Sequence, residues 1–197
     1  PINAAHARLL SLRRLLLIGR LDEAERALDD LDPKPLQPAL RATYELVAAG
    51  IAMRRLNTKA ARTALTHAEQ AARRAHIPAL TAEIESATRL LNAPAARLIA
   101  DGEERPLLLD DVETLFASQA LVIDACRHAV RSGRTIVSLA TRPVLFALAR
   151  TLAAAWPADV SRDALVAEAF RGKEADESHR ARLRVEIGRL RRLLKPL

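Results

Sequence analysis

Apolar residues over the first ninety positions recur three and four apart, the spacing that gives a helix one buried stripe, and the runs are cut by residues that stop helices. "AAHARLLSLRRLLLIG" ends at Gly19, and "LDEAERALDDLD" ends before Pro33 and Pro35. A third segment covers about 37–55, yields at Asn57 to a fourth over 58–76, and "PALTAEIESATRLLN" makes a fifth. Leu9, Leu10, Leu12, Leu15, Leu16, Leu17 and Ile18 are too many for one stripe, so the first helix is expected to pack against another chain or against residues outside this sequence.

From about residue 100 the period changes. "DGEERPLLLDDVETLFAS" reads as linker, short strand and turn. In "LVIDACRHAVRSGRTIVSL", residues 121–139, Val122, Ile123, Val130, Thr135, Ile136 and Val137 cluster as strands prefer around the turn-forming Ser132-Gly133, giving a hairpin or a three-stranded meander. Val112, Leu115, Phe116 and Ala120 also fit a helical stripe, which leaves a helix across 112–131 as the alternative. "RPVLFALARTLAAAW" then opens with Pro143 at a first helical position and presents Leu145, Leu148 and Leu152, with Phe146 and Ala149 on the adjoining ridge. Ser161 is placed to cap "RDALVAEAF", "RGKEAD" is a polar loop, and a last helix begins near Glu177 or Ser178.

"AERAL" (24–28) and "ARTAL" (61–65) lie 37 residues apart, two helices per unit, with alanine at matching places. This resembles the tetratricopeptide family, whose period is roughly 34 residues, although the aromatic positions of that pattern are missing. The resemblance implies a stacked helical array over 1–100; a plain helical bundle is the other arrangement these residues allow.

Composition narrows the function classes. Aromatics are 3% of 197 residues, which favours helices over sandwiches and barrels, and the formal charge of +7 makes phosphate-bearing partners worth considering. One cysteine, Cys126, excludes an internal disulfide and points to a reducing, cytoplasmic setting; among strand-like neighbours it reads as a small buried hydrophobe. No apolar run approaches the roughly 20 residues of a membrane span, so no membrane partner is expected. The chain starts without Met or a signal-peptide layout, as a fragment would. His6, His67, His76, His128 and His179 are scattered without metal-ligand spacing, and the isolated glycines form no phosphate-cradling loop. Asp29-Asp30 and Asp110-Asp111 sit at element ends, where carboxylates cap. These features predict no enzyme activity, no cofactor and no metal. Phe146, Trp156 and Phe170 are expected in the core of the second half.

The last helix carries the strongest functional signal. "SHRARLRVEIGRLRRLLKPL", residues 178–197, has seven basic residues and one acid. At helical spacing Leu183, Ile187, Leu190 and Leu194 make a core-facing stripe. Ala181, Arg182, Val185, Gly188, Arg189 and Arg192 lie opposite, with Arg184, Arg191 and Lys195 on a flank. A cationic face with small residues between its arginines suits a DNA major groove; a merely solvated helix is the bland alternative.

In order, "LVIDACRHAVRSGRTIVSL", "TRPVLFALARTL", "DVSRDALVAEAF" and "RLRVEIGRLRRLL" resemble the small sheet, first helix, second helix and recognition helix of the OmpR/PhoB-type winged-helix family, over about 105–197. The resemblance implies a mainly α protein with a small β component: helical repeats, then a winged helix-turn-helix that lacks its C-terminal wing hairpin. It implies a sequence-specific transcriptional regulator with double-stranded DNA and RNA polymerase as partners and the helical region for dimerisation or protein contacts. The implied DNA-contacting set is His179, Arg180, Arg182, Arg184, Val185, Gly188, Arg189, Arg191, Arg192 and Lys195. No receiver domain precedes the resemblance. A protein-interaction adaptor that uses the same fold without DNA is the runner-up.

Overall fold

Asn57 closes one helix and starts the next: it follows a short turn after α3, and its side chain accepts a hydrogen bond from the Ala60 amide at 3.1 Å. Such local signals set the boundaries of α1 (Ile2–Leu17), α2 (Leu21–Asp29), α3 (Pro38–Arg54), α4 (Thr58–Ala75) and α5 (Pro78–Leu91). The computed structural model describes residues 2–170 and 177–197; the polar loop expected over 171–176 lies outside the described residues. The protein is mainly helical with two small antiparallel sheets, and it divides into two compact units, Pro1–Ala96 with Leu107–Glu113, and Arg97–Pro106 with Thr114–Leu197.

In the first unit each helix packs on its successor, and α1–α3 and α3–α5 also touch. The most extensive pairing, α3 with α4, is built from alanine: Ala42, Ala49, Ala61, Ala64, Ala68, Ala71 and Ala72 are all buried, and their lack of bulk lets the two backbones approach. The positions matched by the 37-residue offset, Ala24 with Ala61 and Leu28 with Leu65, are buried in both halves of the unit. Ion pairs tie the outer faces, Arg55 of α3 to Asp22 and Glu25 of α2, and Arg13 of α1 to Glu83 of α5. The crowded apolar surface of α1 is divided: Leu9 and Leu12 are buried, whereas Leu10, Leu17 and Ile18 are exposed.

The second unit opens with β1 (Ala96–Ala100) and β2 (Glu103–Leu107), joined through Asp101 and Gly102, both at positive φ. Helix α6 (Leu109–Ala117) follows, and the partition into units falls within it. Its sequence was ambiguous between strand and helix, and the structure assigns helix up to Ala117 and strands thereafter. β3 (Val122–Asp124), β4 (Ala129–Ser132) and β5 (Thr135–Ser138) form the expected three-stranded antiparallel meander, turning at Gly133. Register aligns Ile123, Val130 and Val137 in one row on the core side, and Val122, Arg131 and Ile136 in another. On that second row the Arg131 guanidinium lies 3.7 Å from the Phe116 ring centre.

Three helices complete this unit: α7 (Pro143–Ala155), α8 (Arg162–Phe170) and α9 (Glu177–Leu194). Val130, Leu139, Leu145, Phe146, Leu148, Leu165, Val166, Leu183 and Leu190 form its core. Ser161 caps α8 as expected, its hydroxyl accepting from the Ala164 amide at 3.1 Å.

Four expectations fail here. Residues 101–118 were expected as linker, short strand and turn, yet after the strand β2 they form helix α6, which starts where Asp111 accepts from the Leu108 amide at 2.9 Å and which buries Val112. Trp156 is 70% exposed rather than buried, because α7 ends at Ala155 and the chain turns extended there. Leu152 is exposed too, since α8 and α9 cover only the Leu145, Leu148 and Ala149 side of α7. Cys126 is exposed, because it falls in the β3–β4 turn that Asp124 organises by accepting from the Arg127 amide at 3.0 Å.

Replacing Leu148, fully buried at the centre of the second core, by Ala should cost about 2–5 kcal/mol through the cavity left behind. Ala61→Leu should cost about 1–3 kcal/mol by overpacking the α3–α4 seam. Calorimetric unfolding of each variant checks both.

Candidate nucleic-acid interface

Helix α9 amphipathicity fixes the site. Leu183 and Leu190 are 4% exposed, and Ile187 and Leu194 pack beside them against α7 and α8, so this stripe faces inward. The helix is 18 residues long, about 27 Å at the usual rise.

With that stripe inward, the remaining positions sort into three exposed rows. Ala181, Val185, Gly188 and Arg192, spaced four, three and four apart, lie opposite the core, and all four are exposed. A β-carbon built on Gly188 meets no atom within 4 Å, so the middle of this row is open space. Arg180, Arg184, Arg191 and Lys195, spaced four, seven and four apart, make a second exposed row along one margin. Arg182 and Arg189, one heptad apart, stand along the other. Small residues in the middle and cations on both sides give a shape that a major groove about 12 Å wide accommodates.

The cations differ in how firmly they are held. Arg182 lies over the ring of Phe170, the last residue of α8, at 4.7 Å, and the His179 ring is tilted against the same phenyl at 5.9 Å. Arg180 reaches Asp163 in the first turn of α8 at 3.4 Å. Arg189 pairs with Glu186 at 2.8 Å. Arg184, Arg191, Arg192 and Lys195 make no ion pair with any described residue, so their charge faces solvent unneutralised. Arg191 and Arg192 also lie in the last turn of α9, where the negative end of the helix dipole favours cations.

All ten residues singled out in the sequence therefore lie on this one helix or directly after it, but their roles diverge. Gly188 and Val185 line the open row. Arg182 and His179 are partly engaged in packing Phe170, an aromatic contact between residues twelve and nine positions apart that periodicity within α9 cannot reveal. Arg142, which the sequence reading passed over, stands at the start of α7 beside Arg189 and Arg192 across a shared cleft. Its only sequence signal is its place immediately before Pro143.

Outside α9, chemistry-bearing groups do not gather. Among the described residues no three of His, Cys, Asp and Glu approach as metal ligands would, and no helix is long and apolar enough to cross a membrane. His76 ends α4 in a left-handed conformation, and His128 sets its ring edge against Phe146 at 4.6 Å. No protein-family model, curated protein or solved structure matches this chain.

Two variants separate held from free cations. Arg182→Ala should lower stability by about 0.5–1 kcal/mol, the worth of an exposed cation–π contact, whereas Arg192→Ala should change it by less than about 0.5 kcal/mol. Gly188→Ala should raise it by up to about 1 kcal/mol, since alanine suits a helix interior and the space is empty. Thermal melts of the three proteins read these shifts.

Proposed function

We propose that this chain is a sequence-specific DNA-binding transcriptional regulator, with a winged helix-turn-helix formed by β3–β5 and α7–α9, following a helical-repeat region of tetratricopeptide type. The observation that carries the reading is the outward face of α9: an open row through Val185 and Gly188, bordered by arginines, on the side opposite Leu183 and Leu190. The succession of three-stranded sheet, helix, Ser-capped helix and basic helix supports it.

In this reading α9 lies in the major groove. Val185 and Gly188 let the helix axis approach the base edges, where Arg192 and Arg189 donate paired hydrogen bonds to guanine acceptors. Arg184, Arg191 and Lys195 run along one margin and take backbone phosphates, which fix register without reading sequence. Arg180 and His179 lie near the start of the helix, at its approach to the backbone. Residues 2–91 serve protein contacts or self-association, and the exposed Leu10, Leu17 and Ile18 of α1 are the surface for it.

Duplex binding measured by fluorescence anisotropy over a range of salt concentrations tests the reading. The apparent association constant should fall linearly on logarithmic axes as bound phosphates release counterions. Arg184→Ala and Arg191→Ala should each reduce that slope by about one and weaken all sequences alike. Arg192→Ala should cost about 1–3 kcal/mol on the selected site and relax preference at one base pair. Gly188→Leu should abolish tight binding while the melting temperature holds, because the added bulk projects into open space. Salt-independent or absent duplex binding by the wild-type chain would leave the α9 arginines as solvation and favour a protein-binding adaptor.

A further inference from the structure

Between the start of α7 and the outer half of α9 lies an open cleft of about 420 Å³, lined by cations that are more than forty residues apart in sequence. Arg142 comes from the residue preceding α7; Arg189 and Arg192 come from successive turns of α9. Arg142 and Arg192 have no carboxylate partner among the described residues. Glu186 is the one carboxylate on the wall, and its side chain is only 12% exposed and bonded to Arg189 at 2.8 Å. It therefore orients that guanidinium and leaves the cleft with a net positive charge.

The backbone adds to this field. Arg142 makes no side-chain cap bond at the start of α7 and that first turn holds no acid, so no carboxylate of the turn offsets the positive end of a 13-residue helix dipole beside Arg142. Leu145 and Leu193 form the apolar wall, which displaces water and strengthens charge–charge attraction at the mouth. Guanidinium groups only donate hydrogen bonds, and their planar fork matches the oxygens of a phosphate, which only accept. A cationic or purely apolar ligand would leave these donors unmatched.

We infer that this cleft seats a phosphate group, and that in the DNA-bound protein the group is a backbone phosphate flanking the groove entered by α9. The inference rests on the reading of α9 as a DNA-contacting helix and extends the interface to α7, a part of the chain outside the recognition helix. Arg142 makes the contact, while Arg189 and Arg192 on the facing wall add positive charge to the seat and keep their hydrogen bonds for the bases, so the phosphate gives α9 a fixed point against α7.

The experiment uses the whole chain with Arg142→Ala and Arg142→Lys, compared with Arg184→Ala as the variant on the opposite margin. The expected result is that Arg142→Ala lowers the logarithmic salt slope by about one for every duplex sequence and leaves the melting temperature unchanged, while Arg142→Lys, which keeps the charge, restores the slope. An unaltered slope in Arg142→Ala, with a reduced slope in Arg184→Ala, overturns the phosphate seat and leaves the α9 reading standing. Absence of duplex binding by the wild type overturns both. Calorimetric titration with inorganic phosphate distinguishes the remaining source: saturable binding that Arg142→Ala abolishes, with an unaltered DNA slope, would make the cleft a site for a free phosphate and overturn its assignment to the duplex backbone.

Discussion

The burial of Leu183 and Leu190 against α7 and α8 is the contact on which the candidate site depends. Each leucine withdrawn from water contributes about 1.5–3 kcal/mol, and both lie on the same side of α9, so the helix has one rotational setting. That setting alone turns the six arginines of α9 outward. It also explains why the basic face is rigid, since a helix anchored at two points seven residues apart cannot rotate to bring its cations toward the core.

Holding so many like charges on one helix costs energy, and the structure offsets part of the cost selectively. Glu186, Asp163 and the Phe170 ring each take one guanidinium, those of Arg189, Arg180 and Arg182. These contacts are exposed and individually weak, but they fix side-chain direction at the two sides of the helix start and at the α7 cleft. Arg184, Arg191, Arg192 and Lys195 make no ion pair with any described residue and keep their full charge at the surface. The tethered cations lie mostly toward the start of the helix and the free ones mostly toward its end.

The first unit solves a different problem with different material. Its helices are poor in aromatics and rich in leucine, yet the α3–α4 seam is closed by alanines whose value lies in what they leave out: with a single methyl each, they let backbones come close enough for dispersion contacts to accumulate. The ion pairs from α2 to α3 and from α1 to α5 lie on the outside of this packing. Leu10 and Leu17 of its first helix, and Ile18 directly after it, remain exposed among the described residues.

Most helix positions, the meander at 122–138 and the inward stripe of α9 were legible in the sequence, because they depend on period and on neighbours within a few residues: Asn57 as a break, Ser161 as a cap, Pro143 as a start, Ser132-Gly133 as a turn; α6 was not, its stretch having read as linker, short strand and turn. The exposure of Trp156, Leu152 and Cys126 was not, because hydrophobic character says that a residue gains from burial but not whether another element arrives to bury it. The same limit applies at the site. Sequence spacing placed Arg182, Arg189 and Arg192 on one outward face. Only the fold decided that Phe170 holds the first, that Glu186 holds the second, and that Arg142 joins the last two across a cleft. The Glu186–Arg189 pair is a neighbour contact three residues apart within α9, but the Phe170 and Arg142 contacts join residues distant along the chain, whose meeting is set by how α7, α8 and α9 pack and not by any pattern within one helix.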